Sequence, residues 1–141
     1  INDISINVEE NVVVACSDDH TLRVWDIESQ KEIANKNFGQ DIVKGISINR
    51  FTKEILALTA NSKELLFLDL KTLKLKRSIP INRFFTKAVA ISSNAKYITY
   101  ANFDNSIIIY DIHHKKEVGK LVGHKSYVTT LSIDYSGDYL V

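Results

Sequence analysis

Asp18-Asp19-His20-Thr21-Leu22-Arg23-Val24-Trp25-Asp26-Ile27 reads as a tight polar turn, a short strand and an acidic stop. The strand has apolar side chains on both faces, since successive residues point to opposite sides and Trp25 falls opposite Leu22 and Val24. The same form returns at Asn61-Ser62-Lys63-Glu64-Leu65-Leu66-Phe67-Leu68-Asp69-Leu70 and at Phe103-Asp104-Asn105-Ser106-Ile107-Ile108-Ile109-Tyr110-Asp111-Ile112. The closing aspartates Asp26, Asp69 and Asp111 are 43 and 42 residues apart. A fixed period of that length marks one supersecondary unit copied several times.

Outward from these stretches, each copy resolves into four strands. In the first, Ile1 to Ile6 alternates, Val12 to Cys16 is a β-branched run with two apolar faces, and Glu32 to Asn37 is a polar fourth strand. The second copy is expected at Ile42 to Ile48, Glu54 to Thr59, Glu64 to Leu70 and Leu73 to Ile79. In its fourth strand lysines alternate with leucines, as suits a sheet edge that discourages pairing with other chains. The third copy is expected at Thr86 to Ile91, Lys96 to Ala101, Ser106 to Ile112 and Lys116 to Val122. Gly123-His124 opens a fourth, with a strand from Tyr127 to Ile133 and a stub at Asp138 to Val141. No useful length of helical periodicity occurs, so the chain reads as all-β.

A sheet of four short antiparallel strands cannot bury both of its apolar faces alone. Runs such as Ile107-Ile108-Ile109-Tyr110 need cover on each side, which neighbouring copies stacked around an axis supply. A period of about 42 residues matches one four-stranded propeller blade. The reading is therefore a β-propeller of four-stranded antiparallel blades, at residues 1–39, 40–81, 82–123 and, incomplete, 124–141.

The chain resembles the WD-repeat family. The residues that carry the resemblance are Trp25-Asp26, the reduced forms Leu68-Asp69 and Tyr110-Asp111, the turn aspartates Asp19 and Asp104, and Gly123-His124 with the pattern that follows it. The resemblance implies about three and a half blades of a seven-blade ring, and hence part of a longer chain. The start at Ile1 in mid-pattern and the lack of methionine agree with that expectation. The family's buried network of His, Ser or Thr, Asp and Trp is depleted: its Ser/Thr position holds Ala15, Leu58 and Tyr100, and Ser62 replaces the turn aspartate of the second copy. Apolar packing and tyrosine are expected to take its place, because a half-satisfied buried network costs more than none. Asp26, Asp69 and Asp111 are expected to cap the turns after the third strands by accepting backbone N–H bonds.

Bulk composition excludes several classes of function. The 141 residues carry a net charge of +1, which makes no electrostatic case for nucleic acid or an anionic membrane. At 45% hydrophobic and 25% charged the composition is globular, and no apolar run reaches the roughly 20 residues a membrane helix needs. The single cysteine, Cys16, sits in an apolar strand and reads as an inert core thiol; a reducing cytoplasm or nucleus fits it best. His113-His114 falls in a turn, His20 and His124 occupy turn positions, and no phosphate-binding loop is present, so no metal, cofactor, small-molecule substrate or catalytic residue is assigned.

Binding to other proteins is the expected function. Loops before the first strands share one rim with the second-to-third turns, and there lie Gln40, Asp41, Asn82, Arg83, Phe84, Phe85, Lys63, Phe103, Asn105 and Lys125. Arg83, Phe84, Phe85, Phe103, Lys63 and Asn105 are the candidate contacts, since arginine and aromatic side chains anchor protein interfaces. The resemblance implies a non-catalytic scaffold in a multisubunit complex. The order of blades is also similar to the WD-repeat subunit shared by the superkiller RNA-decay and polymerase-associated factor complexes. A peptide-reading module, such as a ubiquitin-ligase adaptor or histone-tail reader, is the alternative.

Overall fold

The computed structural model describes residues 1–61, 63–81, 88–134 and 139–141. Ser62, Asn82, Arg83, Phe84, Phe85 and the start of the expected strand at Thr86 lie outside the described residues, as does Gly137 in the fourth copy.

Three four-stranded antiparallel sheets form, each in the order of the chain. The first contains β1 (Asp3–Asn7), β2 (Val12–Cys16), β3 (Thr21–Asp26) and β4 (Glu32–Asn37). The second contains β5 (Val43–Asn49), β6 (Glu54–Thr59), β7 (Glu64–Asp69) and β8 (Leu75–Pro80). The third contains β9 (Val89–Ile91), β10 (Tyr97–Ala101), β11 (Ile107–Asp111) and β12 (Lys116–Leu121). Each sheet has the four strands expected of a blade; β1 begins at Asp3 rather than Ile1 and β9 at Val89, and two further differences have a physical reason. The fourth strand of the second blade begins at Leu75 rather than Leu73, because Leu73 adopts φ +56° and closes the preceding turn onto the Asp69 carbonyl at 2.9 Å. The expected strand from Tyr127 to Ile133 does not form. Ile133 makes one antiparallel bridge with Leu140, and a short segment with a single short partner cannot sustain a ladder.

The hydrophobic cores lie between sheets, not within them. One joins Val14, Leu22 and Val24 of the first blade to Val43, Ile55, Ala57 and Leu68 of the second. The next joins Leu56, Leu58, Leu65 and Phe67 to Val89, Ile98, Tyr100 and Ile108 of the third. A smaller one sets Ala90, Ala101 and Ile107 against Leu131. Side-chain alternation explains the arrangement: on β6, Ile55 and Ala57 face one neighbour while Leu56 and Leu58 face the other, so every residue of the strand is buried. At the other extreme β4 and β12 are nearly all exposed and form the outer edges. Ile4 and Ile6, 54% and 55% exposed, mark the first blade's face away from the second.

The repeat is written in the backbone as well. Register shifts fall between Val24 and Trp25, Phe67 and Leu68, and Ile109 and Tyr110, at the same place in each third strand, and the second blade has a further one between Val43 and Gly45. Such bulges bend a strand and increase its twist. Left-handed residues recur at Asn11, Lys53 and Ala95 in the first turns and at Gln30, Leu73 and Lys115 in the third. A side chain at positive φ costs about 1 kcal/mol that glycine avoids. Ala95→Gly is therefore expected to raise stability by about 0.5 kcal/mol, after allowance for the looser unfolded chain. Urea denaturation of the variant would show the gain as a higher midpoint at unchanged slope; a loss would mean that the methyl group matters more than the strain.

Candidate interaction rims

The upper rim is built from the second-to-third turns and the loops that enter each first strand. In the first turn the Asp19 carboxylate accepts the Thr21 backbone N–H at 3.0 Å and the Thr21 hydroxyl at 2.6 Å, with His20 left-handed between them at φ 67°. Asp104 holds the third blade's turn in the same way, through the N–H and hydroxyl of Ser106, with Asn105 left-handed at φ 64°. It also accepts Asn102 Nδ2 at 2.9 Å and Lys120 Nζ at 2.6 Å. The Lys120 ammonium first, then the Ser106 hydroxyl and N–H, hold its carboxyl well below the usual carboxylate range.

Side chains tie these turns to the incoming loops. His20 Nδ1 lies 3.0 Å from the Asp41 carbonyl, and the Asp41 carboxylate accepts the N–H of Asn61 at 2.9 Å. Asp41 therefore locks the connection between the first and second blades. Of the residues singled out for binding, Lys63 is exposed and its carbonyl accepts the N–H of Ile81 at 2.6 Å. Phe103 is 48% exposed, its ring edge-on to Tyr127 with centroids 6.4 Å apart. Asn105 is half-buried, and its left-handed backbone gives it a turn role beside any contact role. Gln40, Lys125, Gly123 and His124 are exposed, and Arg83, Phe84 and Phe85 lie outside the described residues.

The lower rim is built from the other two turns of each blade, joined by a repeated backbone bond. Ile27, Leu70 and Ile112 donate to the carbonyls of Asn11, Lys53 and Lys96 at 2.9, 3.0 and 2.9 Å. Each third-strand aspartate closes the turn after it. Asp26 accepts the Ser29 N–H at 2.7 Å, Asp69 the Thr72 N–H at 2.9 Å, and Asp111 the His114 N–H at 2.9 Å. Trp25, beside the first of these, is half-buried on the face away from the second blade. Tyr110 packs on the opposite side of its blade from Ile109, against the core shared with the second.

Backbone N–H donation, from Thr72 to Asp69 and from His114 to Asp111, lowers both carboxyls from 3.8 to about 2. A group depressed in the folded state contributes stability that is complete above its unfolded pKa and is lost as pH falls through its folded one. Stability is thus expected to decline as pH drops from about 4 to about 2. In denaturation curves across that window, the double change Asp69→Ala with Asp111→Ala should flatten the decline; an unchanged slope would assign it to other groups. Asp3 works in the opposite sense. Burial raises its pKa although it accepts the Ile46 N–H at 2.9 Å, so its contribution is lost as pH rises through that raised value.

The groups that might have carried chemistry are committed elsewhere. Cys16 is fully buried, and desolvation pushes its thiol up to about 12. His114 Nδ1 sits 3.0 Å from Asp111 Oδ2, and the His113 ring meets it edge-on at 5.0 Å. Among the described residues no three His, Cys, Asp or Glu side chains are grouped for a metal ion. Tyr100, at the position where a hydroxyl-bearing network residue was absent, is buried and donates its hydroxyl to Glu117 Oε1 at 3.0 Å.

Comparison with known proteins agrees with this architecture. The family described as "WD domain, G-beta repeat" matches residues 1–26 and 115–141. A solved structure of U3-55K aligns at a TM-score of 0.76 and 15% identity, covering 94% of this chain and 42% of its own. The crystal structure of the RRP9 WD40 repeats aligns at 0.76 and 15%, covering 94% of this chain and 41% of its own. No curated protein matches the sequence. At that identity the likeness shows the fold, and the chain spans about two fifths of the length of these structures. The chain thus has the fold of a run of β-propeller blades, and the WD40 repeat model matches it over residues 1–26 and 115–141.

Proposed function

We propose that this protein is a non-catalytic scaffold, in the cytoplasm or nucleus, that holds other proteins together in a multisubunit complex. The observation that carries the reading is the division of labour among side chains. The buried thiol and the capping aspartates are committed to the fold, whereas exposed aromatic and charged residues stand on turns those caps hold rigid. Rigid turns bearing aromatic and basic side chains suit protein contacts. Within this reading, Lys63, Phe103 and Asn105, with Arg83, Phe84 and Phe85 from the same loops of the sequence, are the proposed contacts of the upper rim.

The finer proposal is a complex of RNA decay or transcription elongation, of the superkiller or polymerase-associated factor type. It is supported by the order of the blades: a Trp-Asp blade, two blades without Gly-His before them, then Gly123-His124. The test is purification of the tagged full-length protein from its native cells, with co-purifying proteins quantified by mass spectrometry. A stoichiometric RNA helicase with a tetratricopeptide-repeat protein, or polymerase-associated factor subunits, is the expected result. Ubiquitin-ligase or chromatin-reader subunits would overturn the finer proposal in favour of a peptide-reading module. No stoichiometric partner at all would overturn the scaffold.

A further inference from the structure

The two blade junctions are fastened differently at their lower ends. The first strands of the first and second blades both finish on a buried asparagine. On the second blade Asn49 Nδ2 crosses to the third, donating to the carbonyls of Ser92 and Ser93 at 2.8 and 3.1 Å. These bonds join neutral groups, so salt has no charge there to screen. On the first blade Asn7 stands in the same place, yet its Nδ2 finds no partner among the described residues. Three residues on, Glu10 supplies the tie instead. Its carboxylate crosses to the second blade and sits between two ammonium groups, Lys53 Nζ at 2.5 Å and Lys71 Nζ at 2.9 Å. Lys53 first, then Lys71, hold its carboxyl below the usual carboxylate range. Thr52 occupies the matching place on the second blade, immediately before the left-handed residue of the turn, but its hydroxyl goes to Glu54 of its own blade at 3.0 Å.

The upper end of the first junction is tied through backbone groups. Asn2 Nδ2 donates to the Val43 carbonyl at 3.0 Å, the Asp3 carboxylate accepts the Ile46 N–H at 2.9 Å, and His20 Nδ1 lies 3.0 Å from the Asp41 carbonyl. Lys44 adds an ion pair with Asp18 at 3.0 Å. The lower end is fastened by side-chain charges that meet in solvent, the two lysine side chains being 60% and 62% exposed. A groove of about 160 Å³ lies there, lined by Glu10, Lys53, Asp69, Leu70 and Lys71. Val12, Leu70 and Leu73 bring the shared core down to this end, and Asp69 is committed to the Thr72 N–H and to Lys76.

We infer that the lower end of the first blade junction is an ionic latch. It is closed while Glu10 bridges Lys53 and Lys71, and it opens about the upper ties when those charges are screened or removed. Exposed pairs lose most of their attraction at high salt, where the screening length falls to about 3 Å. Asn7 favours the open form, because opening gives its unpaired donor access to water and offsets part of the cost of wetting Val12 and Leu70. The latch goes beyond the scaffold reading and holds whichever partners bind.

The test follows the two ends of the junction separately in the full-length protein, by the rate at which iodoacetamide labels thiols, resolved by peptide mass spectrometry. Cys16, fully buried opposite Asp3, reports the upper end. The thiol introduced by Val12→Cys, opposite Asn7, reports the lower end. Buried thiols react through openings, and when these are fast the rate follows the open population. Raising sodium chloride from about 0.05 M to about 1 M is expected to speed labelling at position 12 by at least about threefold, with Cys16 unchanged. Glu10→Gln at low salt should give the same acceleration and abolish the response to salt. Lys53→Gln with Lys71→Gln should match it from the other side of the junction. If Val12→Cys itself loosens the core, Leu70→Cys reads the same end from the opposite wall. Labelling at the lower end that ignores salt, or charge variants that leave it unchanged, would overturn the latch. Equal acceleration at positions 12 and 16 would overturn it too, since the whole blade would then be detaching.

Discussion

Phe67→Ala is expected to lower the unfolding free energy by about 3–5 kcal/mol, the cost of emptying a large aromatic site in a core that relaxes only partly. Phe67 is fully buried on the third strand of the middle blade and faces the third blade together with Leu56, Leu58 and Leu65. Its loss would open a void between blades, where neither sheet can collapse without moving against the other. Arg77 adds to the cost. It lies directly across from Phe67 on β8, with its guanidinium carbon 3.8 Å from the ring centroid, and from there reaches Glu54 at 3.1 Å. Without the ring, Arg77 loses a cation–π contact of about 0.5–1 kcal/mol and the surface that orients it toward Glu54. Phe67→Leu keeps most of the volume and should cost about 1.5 kcal/mol or less. Urea denaturation of both variants checks the ranking. A loss below about 1.5 kcal/mol for Phe67→Ala would mean that the blades repack freely, contrary to a fixed stack.

That stack was legible because its signal repeats. The strands β2, β4, β5, β6, β7, β10, β11 and β12 fall within a residue of where alternation and the aspartate period place them. Sequence patterning works well here because each copy tests the reading of the others. It fails at Leu73, an apolar residue in phase with a strand, because the turn after Asp69 takes precedence and buries that side chain while reversing its backbone. It fails at Tyr127 to Ile133 for another reason. Strand propensity is a local property, and a strand needs a ladder that local sequence does not provide.

The candidate site was less legible still. A net charge of +1 does not tell on which rim each charge lies, since summing along the chain discards the side. What separates the copies is their alignment against one another, with Glu10 set above Thr52. The family match follows the same gradient of signal. It takes in the Trp25-Asp26 and Gly123-His124 copies and leaves out the two whose third strands end in Leu68-Asp69 and Tyr110-Asp111.

Comparing copies also separates two asparagines that look alike in sequence. Asn7 and Asn49 end the first strands of their blades, 2% and 1% exposed. Asn49 uses both ends of its amide. Its oxygen accepts the N–H groups of Phe51 and Thr52 at 3.0 and 2.8 Å, and its nitrogen donates to Ser92 and Ser93 across the blade junction. Asn7 accepts only the Glu10 N–H, at 3.2 Å, and its Nδ2 is buried without a hydrogen-bond partner among the described residues. Asn49→Ala is therefore expected to cost about 2–4 kcal/mol, from the loss of four hydrogen bonds at a buried site, although the Ser92 carbonyl keeps the Ala95 N–H at 2.9 Å. Asn7→Ala should cost about 1 kcal/mol or less, because removing an unsatisfied donor offsets part of the lost bond. Asn49→Asp gives a sharper test. It keeps both accepted bonds but sets carboxylate oxygen against two carbonyls, so at neutral pH it should be at least as costly as alanine and should recover on acidification. Denaturation of the three variants at neutral and acidic pH measures all of this. Equal losses for Asn7→Ala and Asn49→Ala would mean that the blade-spanning bonds of Asn49 contribute nothing to holding the second and third blades together.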